Sequence, residues 1–175
     1  MRALDEHRIP YFITGSVASS VHGEYRATND VDIVANLSPA NVGSLLAELQ
    51  GTFVADAEQA RTAVASGTSF NLIDRGTFLE VDVFPSTTEF ERQAQQRAES
   101  IVPPGGTRAL RVATVEDILL AKLRWYRLGG EASEVQQRDI RGIIALNRGA
   151  LDLEHLKRWS VALGIVDLTE RFLAD

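Results

Sequence analysis

The sequence predicts an α+β fold, with a mixed β-sheet flanked by helices over residues 1–112 and a C-terminal helical region over residues 113–175 that packs on it. Short β-prone runs alternate with helical patterns up to residue 112. Beyond that point the apolar spacing is helical throughout. An apolar content of 45% and a charged content of 24% are typical of a globular protein with a core.

The predicted helices and strands of residues 1–112 are short, and proline, serine or glycine residues mark where several of them begin or end. A proline disfavours helical conformation in the residue before it, so Pro10 ends the first helix. Ser38 and Pro39 predict an N-cap and a first helical turn, and Arg75-Gly76 predicts a hairpin turn. Helices are predicted at residues 1–8, 17–22, 38–50, 56–65 and 87–98, strands at 11–14, 31–34, 69–74, 77–84 and 109–112, and a loop at 103–106.

The second part reads as four helices. Thr114, followed by acidic residues in the first turn, predicts a helix start. Ser133 predicts the N-cap of the second helix, and Gly164 ends the third. These patterns place the helices at 114–128, 133–146, 152–163 and from there to the C-terminus.

Composition and charge exclude several classes of function. The chain contains no cysteine, which excludes disulfides, thiolate metal sites and cysteine nucleophiles. The net charge of −6 argues against a large surface for duplex nucleic acid. We find no signal peptide and no apolar run near the roughly 18 residues that span a bilayer, so the expected compartment is the cytoplasm.

The first candidate feature is Gly15-Ser16, between a predicted strand and a predicted helix. The backbone amides of such a turn, the serine hydroxyl and the positive end of the helix dipole together suit a phosphate group. A simple helix cap gives the same pattern, so this feature is not specific by itself.

The second feature is the pair Asp30 and Asp32, around Val31 in a β-prone segment. Residues i and i+2 of a strand point to the same face, roughly 6.6 Å apart along the chain. Two carboxylates on one face repel each other unless a cation lies between them, and shared carboxylates suit a two-metal site. The alternative interpretation is a solvent-facing strand edge.

The third feature is Asp82, in a strand whose apolar residues alternate with Glu80 and Asp82. The alternation places Leu79, Val81 and Val83 on one face and the two acidic residues on the other. If this strand lies beside the first, it adds a third carboxylate. By itself, the pattern also fits a solvated strand face.

In this order, Gly15-Ser16, Asp30 with Asp32, and Asp82 resemble the signature of the DNA polymerase β-like nucleotidyltransferase superfamily. The resemblance implies a nucleotidyltransferase fold over residues 11–84. The C-terminal part resembles the helical tail of the AbiEii-like toxin group, and the whole chain is similar to small uncharacterised bacterial nucleotidyltransferase-like proteins filed beside that group.

The resemblance implies a transfer of NMP from an NTP to a hydroxyl of RNA, such as tRNA, or of protein, in the manner of a toxin-type enzyme. Asp30, Asp32 and Asp82 are the implied catalytic and metal-binding residues, with two Mg²⁺ ions as cofactor. An antitoxin or a second copy of the chain is an expected partner.

Cations complete the expected phosphate site. Gly15 and Ser16 would hold the β- and γ-phosphates, with Arg26 and Lys122 as phosphate-binding cations. In relatives, a lysine of the first tail helix and an Arg-Asp pair of the second face the cleft, and Lys122, Arg138 and Asp139 match these positions. A structural salt bridge between tail helices is the alternative.

Two other interpretations stay open at this point. One is a non-catalytic module of the same fold that binds or senses nucleotides. The other is a structural protein whose aspartates fall in these positions by chance. Saturable NTP binding without turnover would indicate the first, and the absence of any metal-dependent thermal shift would indicate the second.

Overall fold

The computed structural model describes residues 1–23, 25–103 and 105–175 and divides into two compact units. The first unit comprises residues Met1–Ser16 and Ala27–Ala113, and the second comprises Val17–Arg26 and Thr114–Asp175. Pro104, in the loop predicted at residues 103–106, lies outside the described residues.

Helices and strands are interspersed up to residue 112, and the described elements after it are all helices. The helices are α1 (Arg2–Glu6), α2 (Gly15–His22), α3 (Val42–Leu49), α4 (Ala57–Ser66), α5 (Glu89–Arg97), α6 (Val115–Leu128), α7 (Glu134–Asn147), α8 (Leu153–Leu163) and α9 (Val166–Ala174). The strands are β1 (Tyr11–Ile13), β2 (Asp30–Ala35), β3 (Phe53–Val54), β4 (Phe70–Asp74), β5 (Glu80–Pro85), β6 (Glu99–Ile101) and β7 (Leu110–Val112).

The strands of the first unit form one mixed sheet in the order β3-β4-β5-β2-β1-β7-β6. Strand β2 runs parallel to β5 and antiparallel to β1, and β4 runs antiparallel to β5. The prediction of a mixed sheet flanked by helices is therefore confirmed. The adjacency of β2 and β5 is the relationship that brings the predicted acidic residues together.

One face of this sheet is the core of the first unit. Along β5, buried residues alternate with half-buried ones, with Val81 and Val83 on the buried side. Ile33 of β2 and Leu72 of β4 belong to the same buried cluster, which also contains residues of α1, α3 and α4. Because side chains alternate across a strand, the opposite face receives Asp30, Asp32, Glu80 and Asp82.

The second unit has its own core of helix-borne side chains. Helix α6 contacts α7, α8 and α9, and its residues Leu119, Leu120 and Leu123 are almost fully buried. Tyr126 and Phe172 meet edge to face, with ring centroids 5.8 Å apart. The predicted N-caps Thr114 and Ser133 accept hydrogen bonds from Asp117 N–H and Gln136 N–H.

Two local predictions were wrong, and two short strands were not predicted. The helix predicted from Ser38 begins at Val42, because the Ser38 carbonyl accepts hydrogen bonds from the amides of Asn41 and Val42 in a preceding turn. The hairpin loop spans residues 75–79 rather than two residues. The short strands β3 and β6 escaped sequence analysis, because runs of two or three residues carry too little periodicity.

None of the helices in the described part of the chain combines the length and the hydrophobicity that crossing a bilayer requires.

Candidate active site

Asp32 and Asp82 lie side by side on adjacent parallel strands. In the register of β2 and β5, the Cα of Asp32 pairs with that of Asp82. Neighbouring strands are about 4.8 Å apart, and paired residues project to the same face. The prediction that the strand of Asp82 lies beside that of Asp30 and Asp32 is confirmed by this register.

A fourth carboxylate lies in the next row of the same face. Asp30 pairs with Glu80, two residues before the pair of Asp32 and Asp82. Glu80 was not among the predicted site residues, although the alternation along β5 already placed it on the face of Asp82. The register therefore puts four acidic side chains in two adjacent rows.

Neighbouring polar groups hold two of these carboxylates. The Thr28 hydroxyl donates a hydrogen bond to Asp30 Oδ1. Asn71 Nδ2 donates to Glu80 Oε1 over 2.5 Å. Asn71 is also the β4 register partner of Asp82. Sequence analysis missed Asn71, because its place beside the acidic rows follows from strand pairing and not from a local pattern.

Gly15 lies directly against Asp32. A Cβ added to Gly15 would overlap the Asp32 carboxylate, and Gly15 has a φ of +62°, which favours glycine. The amide of Thr14 donates to the Asp32 carbonyl over 2.9 Å. The predicted Gly15-Ser16 turn is thus in contact with the acidic rows, and helix α2 begins at this turn.

Partial burial, together with neighbouring acidic groups, changes the ionisation of Asp82. Partial burial raises the pKa of the Asp82 carboxyl, and the nearby negative charges of Glu80 and Asp30 raise it further. Each of these effects penalises the charged form. A cation placed among these groups would remove the penalty.

The four carboxylates of these rows suit a hard divalent cation, because Mg²⁺ prefers carboxylate oxygens as ligands. Across residues 1–23, 25–103 and 105–175, however, no group of three or more His, Cys, Asp or Glu side chains is arranged to hold an ion as it stands. Asp30 and Glu80 hydrogen-bond to their local partners, and Asp32 lies against Gly15. Binding of an ion would have to replace some of these contacts.

The two predicted cations belong to the second unit, where they surround Asp139. Lys122 Nζ lies 2.8 Å from Asp139 Oδ2 and 3.4 Å from Gln136 Oε1. Arg26 Nε lies 3.8 Å from Asp139 Oδ1. The Lys122 and Asp139 side chains are only 5% and 8% exposed. Lys122 and Asp139 therefore form a buried ion pair, which is the structural salt bridge given above as the alternative interpretation. The neighbouring Arg138 is exposed.

Comparison with solved structures finds nucleotidyltransferase-like proteins. An antigenic nucleotidyltransferase-like protein from Paracoccidioides brasiliensis is 19% identical, with a TM-score of 0.55, over 98% of this chain and 87% of that chain. ANT(2'')-Ia in complex with adenylyl-2''-tobramycin is 16% identical, with a TM-score of 0.49, over 93% of this chain and 91% of that one. The lincosamide antibiotic adenylyltransferase LnuA, lincomycin-bound, is 13% identical, with a TM-score of 0.48, over 82% and 90%.

No family model and no curated protein matches the chain. The AbiEii-like resemblance therefore stays a prediction. The sheet with its flanking helices and the likeness to the Paracoccidioides protein agree on the architecture. This chain has the nucleotidyltransferase fold.

Proposed function

We propose that the chain transfers NMP from an NTP to a hydroxyl acceptor in a magnesium-dependent reaction. The observation that carries this proposal is the paired register of Asp32 with Asp82 and of Asp30 with Glu80 on one face of the sheet. The Gly15-Ser16 turn also supports the proposal, because Gly15 lies directly against the Asp32 carboxylate.

The triphosphate would bind at Gly15-Ser16. The first amides of a helix point outward without partners in the helix, and the dipole adds positive potential. Helix α2 begins at Gly15, so its first amides and the Ser16 hydroxyl suit the β- and γ-phosphates. Lys122 and Arg26 remain proposed phosphate cations, although Asp139 is the partner of both in the second unit.

Asp30, Asp32 and Asp82 would hold the magnesium ions. Mg²⁺ bound by these carboxylates would neutralise charge on the phosphates and lower the pKa of a bound hydroxyl. The chain's own contribution is to keep these carboxylates in adjacent register on a rigid sheet, which positions the reacting groups.

The proposed reaction conserves all atoms and charges. The acceptor oxygen forms a bond to the α-phosphorus, the bond from that phosphorus to the bridging oxygen breaks, and pyrophosphate leaves. The hydroxyl proton passes to the Asp82 carboxylate and then to water.

The direct test is transfer of label. Purified protein is incubated with Mg²⁺, cell extract and each NTP labelled at the α-phosphate, and the reaction is repeated with Asp30→Asn/Asp32→Asn. We expect label in an acceptor with the parent protein and none with the variant. Saturable NTP binding without transfer would instead indicate a nucleotide sensor.

The toxin-type role is the alternative in which the acceptor is a macromolecule. It predicts that label enters RNA or protein, that expression arrests growth, and that a neighbouring antitoxin or a second copy of the chain binds the protein. Growth arrest that depends on Asp30 and Asp32 would support it. Label confined to small molecules, with no effect on growth, would contradict it.

A further inference from the structure

The face that carries the acidic rows continues into exposed apolar residues. Glu80 pairs with Ile73 of β4, and Ile73 pairs with Val54 of β3. Paired residues of neighbouring strands share a face. The row therefore reads Asp30, Glu80, Ile73 and Val54 from β2 to the sheet edge. Ile73 is 40% exposed and Val54 is 47% exposed.

An aromatic residue lies in the loop that joins these strands. Phe78 is 80% exposed and has a φ of +60°. A bulky residue rarely adopts this conformation. Phe78 precedes Glu80 by two residues, so it lies in the loop just before the strand that carries Glu80 and Asp82. We call Val54, Ile73 and Phe78 the apolar ledge.

The order of strands places the ledge on the side from which an acceptor must approach. Gly15-Ser16, where pyrophosphate would leave, follows β1, on one side of β2. The apolar ledge belongs to β4, β3 and the loop before β5, on the other side of the carboxylates. In phosphoryl transfer, the attacking and leaving oxygens lie roughly in line across the phosphorus. A leaving group on the β1 side therefore requires an attacking group on the β4 side.

The negative charge of the chain limits the class of acceptor molecule that this face can bind. The ledge borders Glu80, the register partner of Ile73, and the whole chain carries a net charge of −6. Such a charge argues against a large surface for a polyanionic acceptor. Apolar side chains next to acidic ones instead favour an uncharged or cationic molecule with an apolar or aromatic surface.

We propose that the apolar ledge is the acceptor site, and that the acceptor is a small hydroxyl compound with an apolar or aromatic face and no polyanionic backbone. This inference rests on the proposed nucleotidyl transfer. It assigns Val54, Ile73 and Phe78 to acceptor specificity and leaves NTP binding to the opposite side of the carboxylates.

The test combines separated acceptor pools with matched variants. Cell extract is divided into a low-molecular-weight ultrafiltrate, total RNA and protein, and each pool is offered with Mg²⁺ and α-labelled NTP. The ledge variants are Val54→Thr/Ile73→Thr, which keep β-branched side chains in both strands, and Phe78→Gly, which removes the ring where φ favours glycine. The control is Val102→Thr, a 56% exposed valine next to β6 at the other edge of the sheet.

We expect label in the ultrafiltrate, in a product that reversed-phase medium retains. At limiting acceptor, each ledge variant should lower the rate about tenfold or more, as expected for the loss of apolar contacts to a substrate. The KM for NTP should not change, and Val102→Thr should match the parent.

Two other results would overturn the inference while leaving nucleotidyl transfer intact. One is label that enters RNA or protein instead of small molecules. The other is an equal rate for the ledge variants and Val102→Thr. No label in any pool, together with no binding of Mg-NTP by the parent protein, would overturn the proposed function itself.

Discussion

The carboxylate of Asp32 occupies the space that a side chain at Gly15 would need. The contact joins the turn at the start of α2 to the acidic face of the sheet. Glycine is required at position 15 for two reasons, which are its positive φ and the close approach of Asp32.

This contact predicts that Gly15→Ala disrupts the site. The added Cβ would force Asp32 to move, and the backbone strain would cost about 1 kcal/mol more. We expect Mg-NTP binding to fall below detection by calorimetry while circular dichroism still shows a folded protein. Gly130→Ala is the matched control, because Gly130 has a φ of +70° but no neighbouring atoms within 4 Å of the added Cβ. Equal nucleotide binding by Gly15→Ala and Gly130→Ala would refute the assignment of this turn.

Asp82 predicts a stability change of known sign. Its pKa is raised in the folded protein, so its contribution to stability is present below the unfolded pKa and is lost as the pH rises through the folded pKa. Asp82→Asn should therefore raise the melting temperature of the metal-free protein near pH 7, with less gain in acid. Melting curves between about pH 4 and 7 in the presence of a chelator measure this. A lower melting temperature at neutral pH would show that Asp82 is not under electrostatic strain.

Asp74, in the adjoining hairpin, predicts the opposite sign. The Thr77 amide and hydroxyl and the Gly76 amide donate hydrogen bonds to Asp74 Oδ1, and they lower the pKa of this carboxyl. Its contribution is present above the unfolded pKa and is lost as the pH falls through the folded pKa. Asp74→Asn should lower the melting temperature near neutral pH and have a smaller effect in acid. Parallel pH series for Asp74→Asn and Asp82→Asn should diverge in sign.

The buried pair of Lys122 and Asp139 predicts strong coupling within the second unit. Removing one partner of a buried ion pair leaves an uncompensated charge and costs about 3–5 kcal/mol. Lys122→Met should therefore destabilise the protein strongly in urea unfolding. The double variant Lys122→Met/Asp139→Leu should recover part of the loss, although Arg26 then loses Asp139 as a partner. Purely additive losses would show that the two charges do not stabilise each other.

Local sequence patterns predicted those parts of the site that lie on one strand or one turn. Alternation along β5 separated Asp82 from Val81 and Val83, and the Asp30-Val31-Asp32 spacing placed two carboxylates on one face. Asn71 and Ile73 became visible only through the register of β4 with β5, which is a contact between residues distant in sequence.

The boundary between units shows the same limit of sequence reasoning. Residues 17–26, which we placed with the α/β part, contact the helical unit instead. Asn147 Nδ2 donates to the His22 carbonyl over 2.6 Å, and Gly23 packs closely on Ile143. Nothing in the local pattern of residues 17–26 encodes these long-range contacts. The loop of residues 75–79 likewise depends on Asp74, whose side chain accepts three hydrogen bonds that an Arg-Gly turn signal does not reveal.

The most direct measurement is the thermal shift produced by Mg-NTP in the parent protein and in Asp30→Asn/Asp32→Asn. Ligand that binds only the folded state at about 100 times its Kd stabilises it by about 2.7 kcal/mol, so the parent should melt several degrees higher when NTP and Mg²⁺ are both present. The variant should stay folded and show no such shift, because the two carboxylates proposed to hold the ion have become neutral amides. An equal shift in both proteins would contradict the acidic face as the site of metal and nucleotide.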